Sequence, residues 1–222
     1  MLKKIELEFC KRTDKKYQEI RDRHYIPNNG THGQQIHFLI HYNGEVVGII
    51  SGASSVYSVE ARDNYFDIPK DKDVKQKYYL PAIINNTVFR LESHEKNLAT
   101  KVLSRFRRVI AELWETIYGV PVIGFETFVI ETDTRKGTLY KADNWDFVGY
   151  TKGSTKKHSK GLKNSATRVS TEEKMIYCKW MGSKKTIPVV EYKSSWRCET
   201  EFEKKRKKEI EQYKKDLIGK KF

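Results

Sequence analysis

Long apolar runs and paired cysteines are missing from this sequence of 222 residues. No stretch approaches the roughly 20 apolar residues that a membrane-spanning helix needs. The opening residues, MLKKIELEFCK, carry charges where a signal peptide needs an apolar core. Cys10, Cys178 and Cys198 form no C-x-x-C pair and are too scattered for a disulfide framework. We therefore expect a reduced, cytoplasmic protein with no membrane partner.

Acidic residues are scarce in the last third of the chain. Residues 152–222 carry 21 Lys and Arg against 9 Asp and Glu, a balance of +12, whereas residues 1–151 are balanced at +2. Positive charge concentrated in one segment predicts a polyanionic partner, because each neutralised phosphate releases counterions. A solvated lysine-rich tail is the alternative. An anionic membrane is disfavoured, because the segment lacks an amphipathic helix rich in Trp, Phe and Leu.

A flexible arm at 152–168 is the predicted contact with this polyanion. Gly153 and Gly161 suit a chain that follows phosphates, and such contacts add affinity without reading sequence. The expected phosphate-binding residues are Lys152, Lys156, Lys157, Lys160, Lys163 and Arg168. The aromatic residues that could stack an extruded base are Trp145, Tyr150, Trp180 and Trp196.

Apolar patterning predicts a mixture of strands and helices. Two apolar runs at 36–42 and 45–51 flank Asn43-Gly44, which supplies the positive φ of a type I′ hairpin turn. Further strands are predicted at 5–9, 80–91, 122–130, 175–181 and 186–192. Thr13-Asp14 is the predicted start of a short helix, 57–80 reads as a long connection, and a charged helix is predicted at 200–218.

The strongest helical signal lies between 98 and 117. Its apolar stripe, at steps of three and four residues, is Leu98, Val102, Phe106, Val109, Leu113 and Ile117. Ser93 is placed as the N-cap, and Gly119 and Pro121 end the helix. Strands on both sides of one long helix predict an α+β (α/β-like) fold, with a mixed sheet around that helix. We expect a core at 1–151 and a basic segment at 152–222 that completes the sheet and ends in the charged helix.

The order of these elements resembles the GCN5-related N-acetyltransferases, in which the fourth strand runs into the pyrophosphate-binding helix. The stretch LYKADNWDFVG is similar to the closing motif of that superfamily. There the Tyr typically serves as a general acid near the acyl sulfur. The resemblance therefore implies that Tyr140 is a catalytic acid, whereas packing against Trp145 is the structural alternative.

A narrower resemblance covers residues 21–151. The motifs that carry it are RDRHYIPNNG, QQIHFLIHYNGEVVGIISGASSVYS, ARDNYF, NNTVFRL, SHEKNLATKVLSRF, GFETFVIE and GTLYKADNW. In this order they resemble the family that contains component A of the Druantia anti-phage system. They are more distantly similar to the phage Mom protein, which modifies adenine in DNA. The resemblance implies a DNA-acting protein in a bacterial host cell, encoded by phage or a mobile element.

The superfamily's glycine-containing phosphate loop has no counterpart here. It would fall at 92–99, which reads ESHEKNLA and contains no glycine. Glycines there allow backbone amides to approach a pyrophosphate closely. Ser93, His94, Lys96 and Asn97 could instead bind an anion, a cofactor phosphate or one of DNA. Two cofactors stay open: acyl-CoA, against which the missing glycines count, and iron, which Mom-like proteins are thought to use.

Five further residues are candidates for the chemistry. His24-Tyr25 matches a pair in the Mom-like proteins, with the His as base, metal ligand or packed residue. Glu131, rather than Glu126, is the better match for an acidic residue that the relatives carry after this strand. It would act as a base or hold an exocyclic amine, or else be a solvated charge. His37 and His41 share one strand face, which is compatible with metal ligation, but no third ligand is evident.

Asn85 and Asn86 interrupt an otherwise apolar strand, and buried amides are costly unless they find partners. They match an NNT motif in the Druantia-like sequences. A substrate or cofactor contact is one interpretation and an internally satisfied β-bulge is the other.

Three functions remain open at this point. The first is modification of a DNA base with a group taken from a small-molecule donor. The second is a non-catalytic DNA-binding module in phage defence or counter-defence. The third is an acyl-CoA-dependent transferase that acts on a small amine or a protein.

Overall fold

Seven strands form one sheet in the part of the chain that the computed structural model describes, which is residues 4–26, 33–151, 172–182, 187–188 and 200–222. The strands are β1 (Ile5–Cys10), β2 (Gln35–Tyr42), β3 (Glu45–Ser54), β4 (Ile83–Leu91), β5 (Gly124–Ile130), β6 (Asp146–Tyr150) and β7 (Lys174–Trp180). Their spatial order is β1-β2-β3-β4-β5-β7-β6. Only β4 and β5 run parallel, and every other neighbouring pair is antiparallel. The predicted mixed sheet is therefore confirmed.

Helices connect and cover these strands. They are α1 (Lys15–Arg21), α2 (Glu60–Tyr65), α3 (Lys72–Val74), a π-helical turn (Lys75–Tyr79), α4 (Leu80–Ala82), α5 (Leu98–Tyr118), α6 (Thr138–Ala142) and α7 (Glu201–Leu217). No helix in the described ranges combines the length and the apolar character needed to cross a membrane.

Most of the predicted elements are confirmed. Asn43 and Gly44 take φ values of 53° and 92° and turn β2 into β3, as the hairpin requires. Asp14 caps α1 by accepting the Tyr17 backbone N–H at 3.0 Å. Of the predicted strand at 186–192, only 187–188 lie within the described residues, and they are not in a strand.

The long connection predicted at 57–80 is wrong, because this stretch is largely helical. Asp71 accepts the Val74 backbone N–H at 2.9 Å and so starts the second helical run. That run continues through Ala82, which delays the start of β4 to Ile83. The prediction failed because the stretch is polar and has no long apolar stripe.

The long helix α5 carries the core. Its buried residues are Leu98, Val102, Leu103, Phe106, Ile110, Leu113, Trp114, Ile117 and Tyr118. It packs directly on β3, because a Cβ added at Gly52 would lie 2.4 Å from the Ile110 Cδ1 atom. The predicted end at Gly119 is confirmed, with a φ of 71°.

The predicted N-cap of α5 is wrong. Asn97 is the capping residue, in the left-handed conformation with a φ of 61°. The Ser93 hydroxyl instead accepts the Glu95 backbone N–H at 3.3 Å. The loop therefore makes one more turn before the helix begins than the sequence pattern indicates.

The segment after residue 151 is built into the sheet at two places. Strand β7 lies between β5 and β6. At the opposite edge, Leu7 and Phe222 exchange backbone hydrogen bonds of 2.9 and 3.0 Å, and Phe9 donates to the Lys220 carbonyl at 2.9 Å. The chain end after α7 thus pairs with β1 and covers its exposed edge.

A buried ion pair fixes α2 against the centre of the sheet. Arg62 and Glu126 are both fully buried, and the Arg62 Nη1 atom lies 2.7 Å from Glu126 Oε2. Arg62 also donates to the Val56 carbonyl at 2.6 Å and to Asp63 at 2.7 Å. Burial raises the pKa of Glu126, and the Arg62 charge opposes that shift. The pair is tolerated because each charge has its partner.

Replacing Arg62 with Met should therefore lower the free energy of unfolding by about 3–5 kcal/mol, because Glu126 would be left charged and unpaired in the core. Chemical denaturation monitored by circular dichroism measures this change. The exposed i,i+3 pair Lys204–Glu201 provides the control, and Glu201→Ala should change stability by less than about 0.5 kcal/mol. Equal effects of the two variants would contradict the assigned role of the buried pair.

Candidate functional site where β4 and β5 diverge

The parallel ladder between β4 and β5 is short. Its pairs are Ile83 with Gly124, Ile84 with Phe125, and Asn85 with Glu126. Beyond these pairs the two strands continue to Leu91 and Ile130 without pairing with each other. A gap therefore opens in the middle of the sheet, at the end where β4 leads into α5.

Asn86 lies at the start of this gap and joins three elements. Its Nδ2 atom donates to the Ser51 carbonyl at 2.9 Å and to the Val88 carbonyl at 3.1 Å. Its Oδ1 atom accepts the Tyr140 hydroxyl at 3.0 Å. The Thr127 hydroxyl on β5 donates to the Asn86 carbonyl at 3.0 Å. The β3–β4 register shifts here, so the β-bulge interpretation describes Asn86 well.

Asn85 is the exception among the polar groups of this region. Its side chain is 5% exposed, and the Oδ1 atom has no hydrogen-bond partner among the described residues. Because successive strand residues point to opposite faces, Asn85 lies on the Glu126 face and Asn86 on the Tyr140 face. The two amides therefore point to opposite faces of the sheet at the closed end of the gap. A buried carbonyl oxygen without a donor is costly unless a ligand supplies one.

Tyr140 is buried against the same gap, on helix α6. Its ring packs at 5.2 Å from Trp145 and at 5.8 Å from Tyr177, between ring centroids. Burial raises the pKa of its hydroxyl, the Thr127 hydroxyl opposes that shift, and nearby Tyr25 adds to it. Tyr140 is therefore a protonated donor at neutral pH. The packing alternative and the catalytic one are both compatible with this position.

His24 and Tyr25 follow α1 and stack on each other with ring centroids 4.5 Å apart. The guanidinium of Arg135 lies 4.0 Å from the Tyr25 ring centroid. Burial, the larger cause, and the nearby Arg21 charge together lower the pKa of His24 to about 4. His24 is therefore neutral at pH 7, and its Nδ1 atom accepts the Ile26 backbone N–H at 3.1 Å.

Glu131 lies at the end of β5 and is exposed to solvent. Its carboxylate accepts the Tyr150 hydroxyl at 3.1 Å and lies 3.9 Å from the Lys136 ammonium. Within the described residues it makes no contact with Asn86 or Tyr140. This position matches the alternative of a solvated charge at a strand end.

The loop before α5 presents Ser93, His94, Lys96 and Asn97 at the surface, with Ser93 only partly exposed. Asn97 takes the left-handed backbone conformation that a glycine would otherwise provide. The loop lacks the glycines that allow close approach of backbone amides to a pyrophosphate, so it does not fit coenzyme A in the superfamily's manner. The side chains here can still bind an anion.

The two strand histidines are engaged within the protein. The His37 Nδ1 atom lies 2.9 Å from the Ser51 hydroxyl and 3.2 Å from that of Tyr17, and His41 Nε2 lies 2.7 Å from the Glu8 carboxylate. In the described ranges no group of three His, Cys, Asp or Glu side chains is close enough to hold a metal ion. The described residues therefore do not fit an iron site.

The predicted DNA-binding arm lies outside the described residues, as does Trp196. Of the other predicted stacking residues, Trp145 is buried, Trp180 is half-buried and Tyr150 is 48% exposed. Sequence reasoning missed Thr127 and Ser51, which hydrogen-bond Asn86 and its neighbours. A single Thr or Ser in an apolar strand carries no signal, because its partners depend on strand register.

Comparison with known proteins identifies the fold. A family model described as Druantia protein DruA matches residues 3–212. No curated protein matches the chain. The structure of Arabidopsis thaliana NAA60 in complex with acetyl-CoA aligns over 81% of this chain and 100% of that one, with a TM-score of 0.50 and 15% identity.

Two further acetyltransferases align less closely. A Bacillus subtilis acetyltransferase in complex with CoA aligns over 80% of this chain and 99% of its own, with a TM-score of 0.48 and 7% identity. The microcin C7 self-immunity acetyltransferase MccE, in complex with acetyl-CoA and AMP, has a TM-score of 0.38 and 10% identity. That alignment covers 66% of this chain and 61% of MccE, so the chain spans less than two thirds of its length. The predicted N-acetyltransferase-like fold is confirmed.

The His24 imidazole should titrate near pH 4 in the folded protein, well below the ordinary value of about 6.5. Because the unfolded chain takes up this proton at the higher pH, the His24 contribution to stability is complete above about pH 6.5 and is lost as the pH falls towards 4. NMR titration of the imidazole C–H signals measures the pKa, and His24→Gln identifies the signal. Titration near 6.5 in the folded protein would contradict the burial of this ring.

Proposed function

The chain belongs to the family of the Druantia protein DruA, and from this membership and the site geometry we propose that it modifies a base in DNA. The reaction transfers a group from a small-molecule donor to an exocyclic amine of the base. The target base is extruded from the duplex and enters the gap between β4 and β5.

The observation that carries this proposal is the buried, unpaired Oδ1 atom of Asn85. It is a hydrogen-bond acceptor, and the exocyclic amines of adenine and cytosine are donors. An amine placed there donates a hydrogen bond to an acceptor that otherwise has none. Binding therefore removes the free-energy cost of leaving this buried acceptor unpaired. The same contact favours a base that carries an amine over one that carries a carbonyl.

Tyr140 acts on the other side of the gap as the proton donor. Its hydroxyl is held by Asn86 and Thr127, and its raised pKa keeps it protonated at neutral pH. Within hydrogen-bond reach of the leaving group, it can donate this proton as the bond between that group and the transferred group breaks, and the exocyclic amine releases one proton to solvent as it bonds to the transferred group. The Asn86 contacts fix the position of the phenol, which is the main requirement for such a transfer.

Tyr25 and His24 line the approach to this site. The pKa of His24, about 4, makes the imidazole a weak base, which fits a hydrogen bond to the substrate better than proton abstraction. Tyr25 is 38% exposed, and its ring contacts both His24 and the Arg135 guanidinium. Such an aromatic and arginine pair suits stacking on a base.

The basic segment supplies DNA affinity in this proposal. The balance of +12 over residues 152–222 provides phosphate contacts without sequence information. The arm lysines and Arg168 are the expected contacts closest in sequence to the site, because the arm follows β6 directly. Without these phosphate contacts, the protein would bind DNA too weakly for the site to act on it.

An acyl-CoA-dependent transferase is the second candidate function, and the fold favours it. The loop at 92–99 counts against it, because it has no glycine. A non-catalytic DNA-binding module is the third candidate. The three functions differ in what happens to the DNA and in which small molecule binds.

Nucleoside mass spectrometry of DNA from cells that express the protein tests the proposal. We expect a nucleoside of increased mass with the wild-type chain. Tyr140→Phe should lower its yield by about 100-fold or more, since general acid catalysis is lost. Asn85→Ala should lower it as well, because the amine loses its acceptor.

Tyr213→Phe is the matched control, since this tyrosine is partly exposed on α7 and far in sequence from the site. It should leave the yield unchanged. Unmodified nucleosides combined with salt-sensitive DNA binding would favour the binding module instead. Tight binding of acetyl-CoA in calorimetry, again with unmodified DNA, would favour the acyltransferase.

A further inference from the structure

A cavity of about 530 Å³ lies where β1 ends and β2 begins and is not part of the site between β4 and β5. Its walls come from the end of β1 and the turn into α1, from the start of β2, and from α7. This volume is within the range of small-molecule sites. The C-terminal pairing of Phe222 with Leu7 holds α7 in place above it.

The wall of this cavity is strongly cationic. Lys11, Lys207 and Lys215 line it, and in the described ranges none of the three has an ion-pair partner. Glu211 is the only acidic residue among the residues that line it, which also include Arg12 and Lys214. Like charges that converge on one space repel each other, and an anion bound between them removes that repulsion.

The position of α7 depends on Lys214 rather than on the three free lysines. The Lys214 Nζ atom donates to the Gln35 carbonyl at 2.8 Å and to the Tyr118 hydroxyl at 3.2 Å. Lys214 therefore fastens the helix to the start of β2. Lys207 and Lys215 remain available to a ligand.

The rest of the lining is suited to a flat, partly apolar group. Ile210, which is half-buried, and Ile218, which is 42% exposed, contribute apolar surface. His37 lies at the inner end, where its Nδ1 atom is taken by Ser51 and its Nε2 atom is left for a ligand. Cationic side chains at the rim and apolar ones inside match a molecule with an anionic end and a ring.

We propose that this cavity binds a nucleotide-sized molecule that carries phosphate groups. Lys11, Lys207 and Lys215 hold the phosphates, and the ring lies along Ile210 and Ile218. The proposal is independent of DNA modification at the site between β4 and β5, because the two sites share no lining residue.

Isothermal titration calorimetry of the full chain with ATP, pyrophosphate and adenosine tests this proposal. We expect saturable binding of ATP, weaker binding of pyrophosphate, and adenosine binding at least tenfold weaker than that of ATP. The double substitution Lys207→Glu and Lys215→Glu should weaken ATP binding at least tenfold. The single substitution Lys11→Glu should weaken it by a smaller factor. Thermal melting confirms that the variants are folded.

The matched control is Lys101→Glu combined with Arg108→Glu. Both line a separate, shallower basic cavity near Lys4, and neither has an ion-pair partner in the described ranges. This variant should bind ATP within twofold of the wild type. Equal weakening by both double variants would show general charge attraction and would overturn the proposal. The proposal would also be overturned if neither ATP nor pyrophosphate binds saturably and single-stranded DNA binds to the same lysines.

Discussion

The hydrogen bonds of one buried residue, Asn86, connect β3, β5 and α6 at the point where β4 and β5 diverge, and the proposed site depends on this point. Its amide connects β3 through the Ser51 carbonyl and α6 through the Tyr140 hydroxyl, while its backbone carbonyl receives Thr127 from β5. A buried amide without these partners would cost several kcal/mol, about 2–7 in transfer measurements. The divergence of β4 and β5 is therefore stable because the side-chain amide and the backbone carbonyl of Asn86 are both hydrogen-bonded.

This arrangement makes its neighbour informative. Asn85 is just as buried, but its carbonyl oxygen has no donor in the described ranges. Folded proteins rarely leave such an acceptor unpaired, and strain, a catalytic role or a bound water or ion explains the exceptions. The fold supplies the gap, Asn86 and Tyr140 supply one wall, and Asn85 supplies an unsatisfied group in the other. The chemistry that we propose at the gap rests on this asymmetry rather than on the fold alone.

The sequence predicts the parts of this protein that local patterns determine. The hairpin at Asn43-Gly44 and the stripe of α5 depend on turn chemistry and on helical period, and both are confirmed. The helical stretch after β3 was missed because short polar helices depend on tertiary partners such as the Arg62–Glu126 pair. The different fates of Asn85 and Asn86 could not be predicted, because they depend on a register shift between β3 and β4.

Fluorescence of a DNA duplex that contains 2-aminopurine tests most directly whether the gap receives a base. The fluorescence of 2-aminopurine rises when it leaves the stack, so it reports base extrusion separately from binding. We expect the fluorescence to rise when the wild-type protein binds, and to rise much less with Asn85→Ala at equal DNA occupancy. Tight binding of the duplex with no rise in fluorescence would contradict the account.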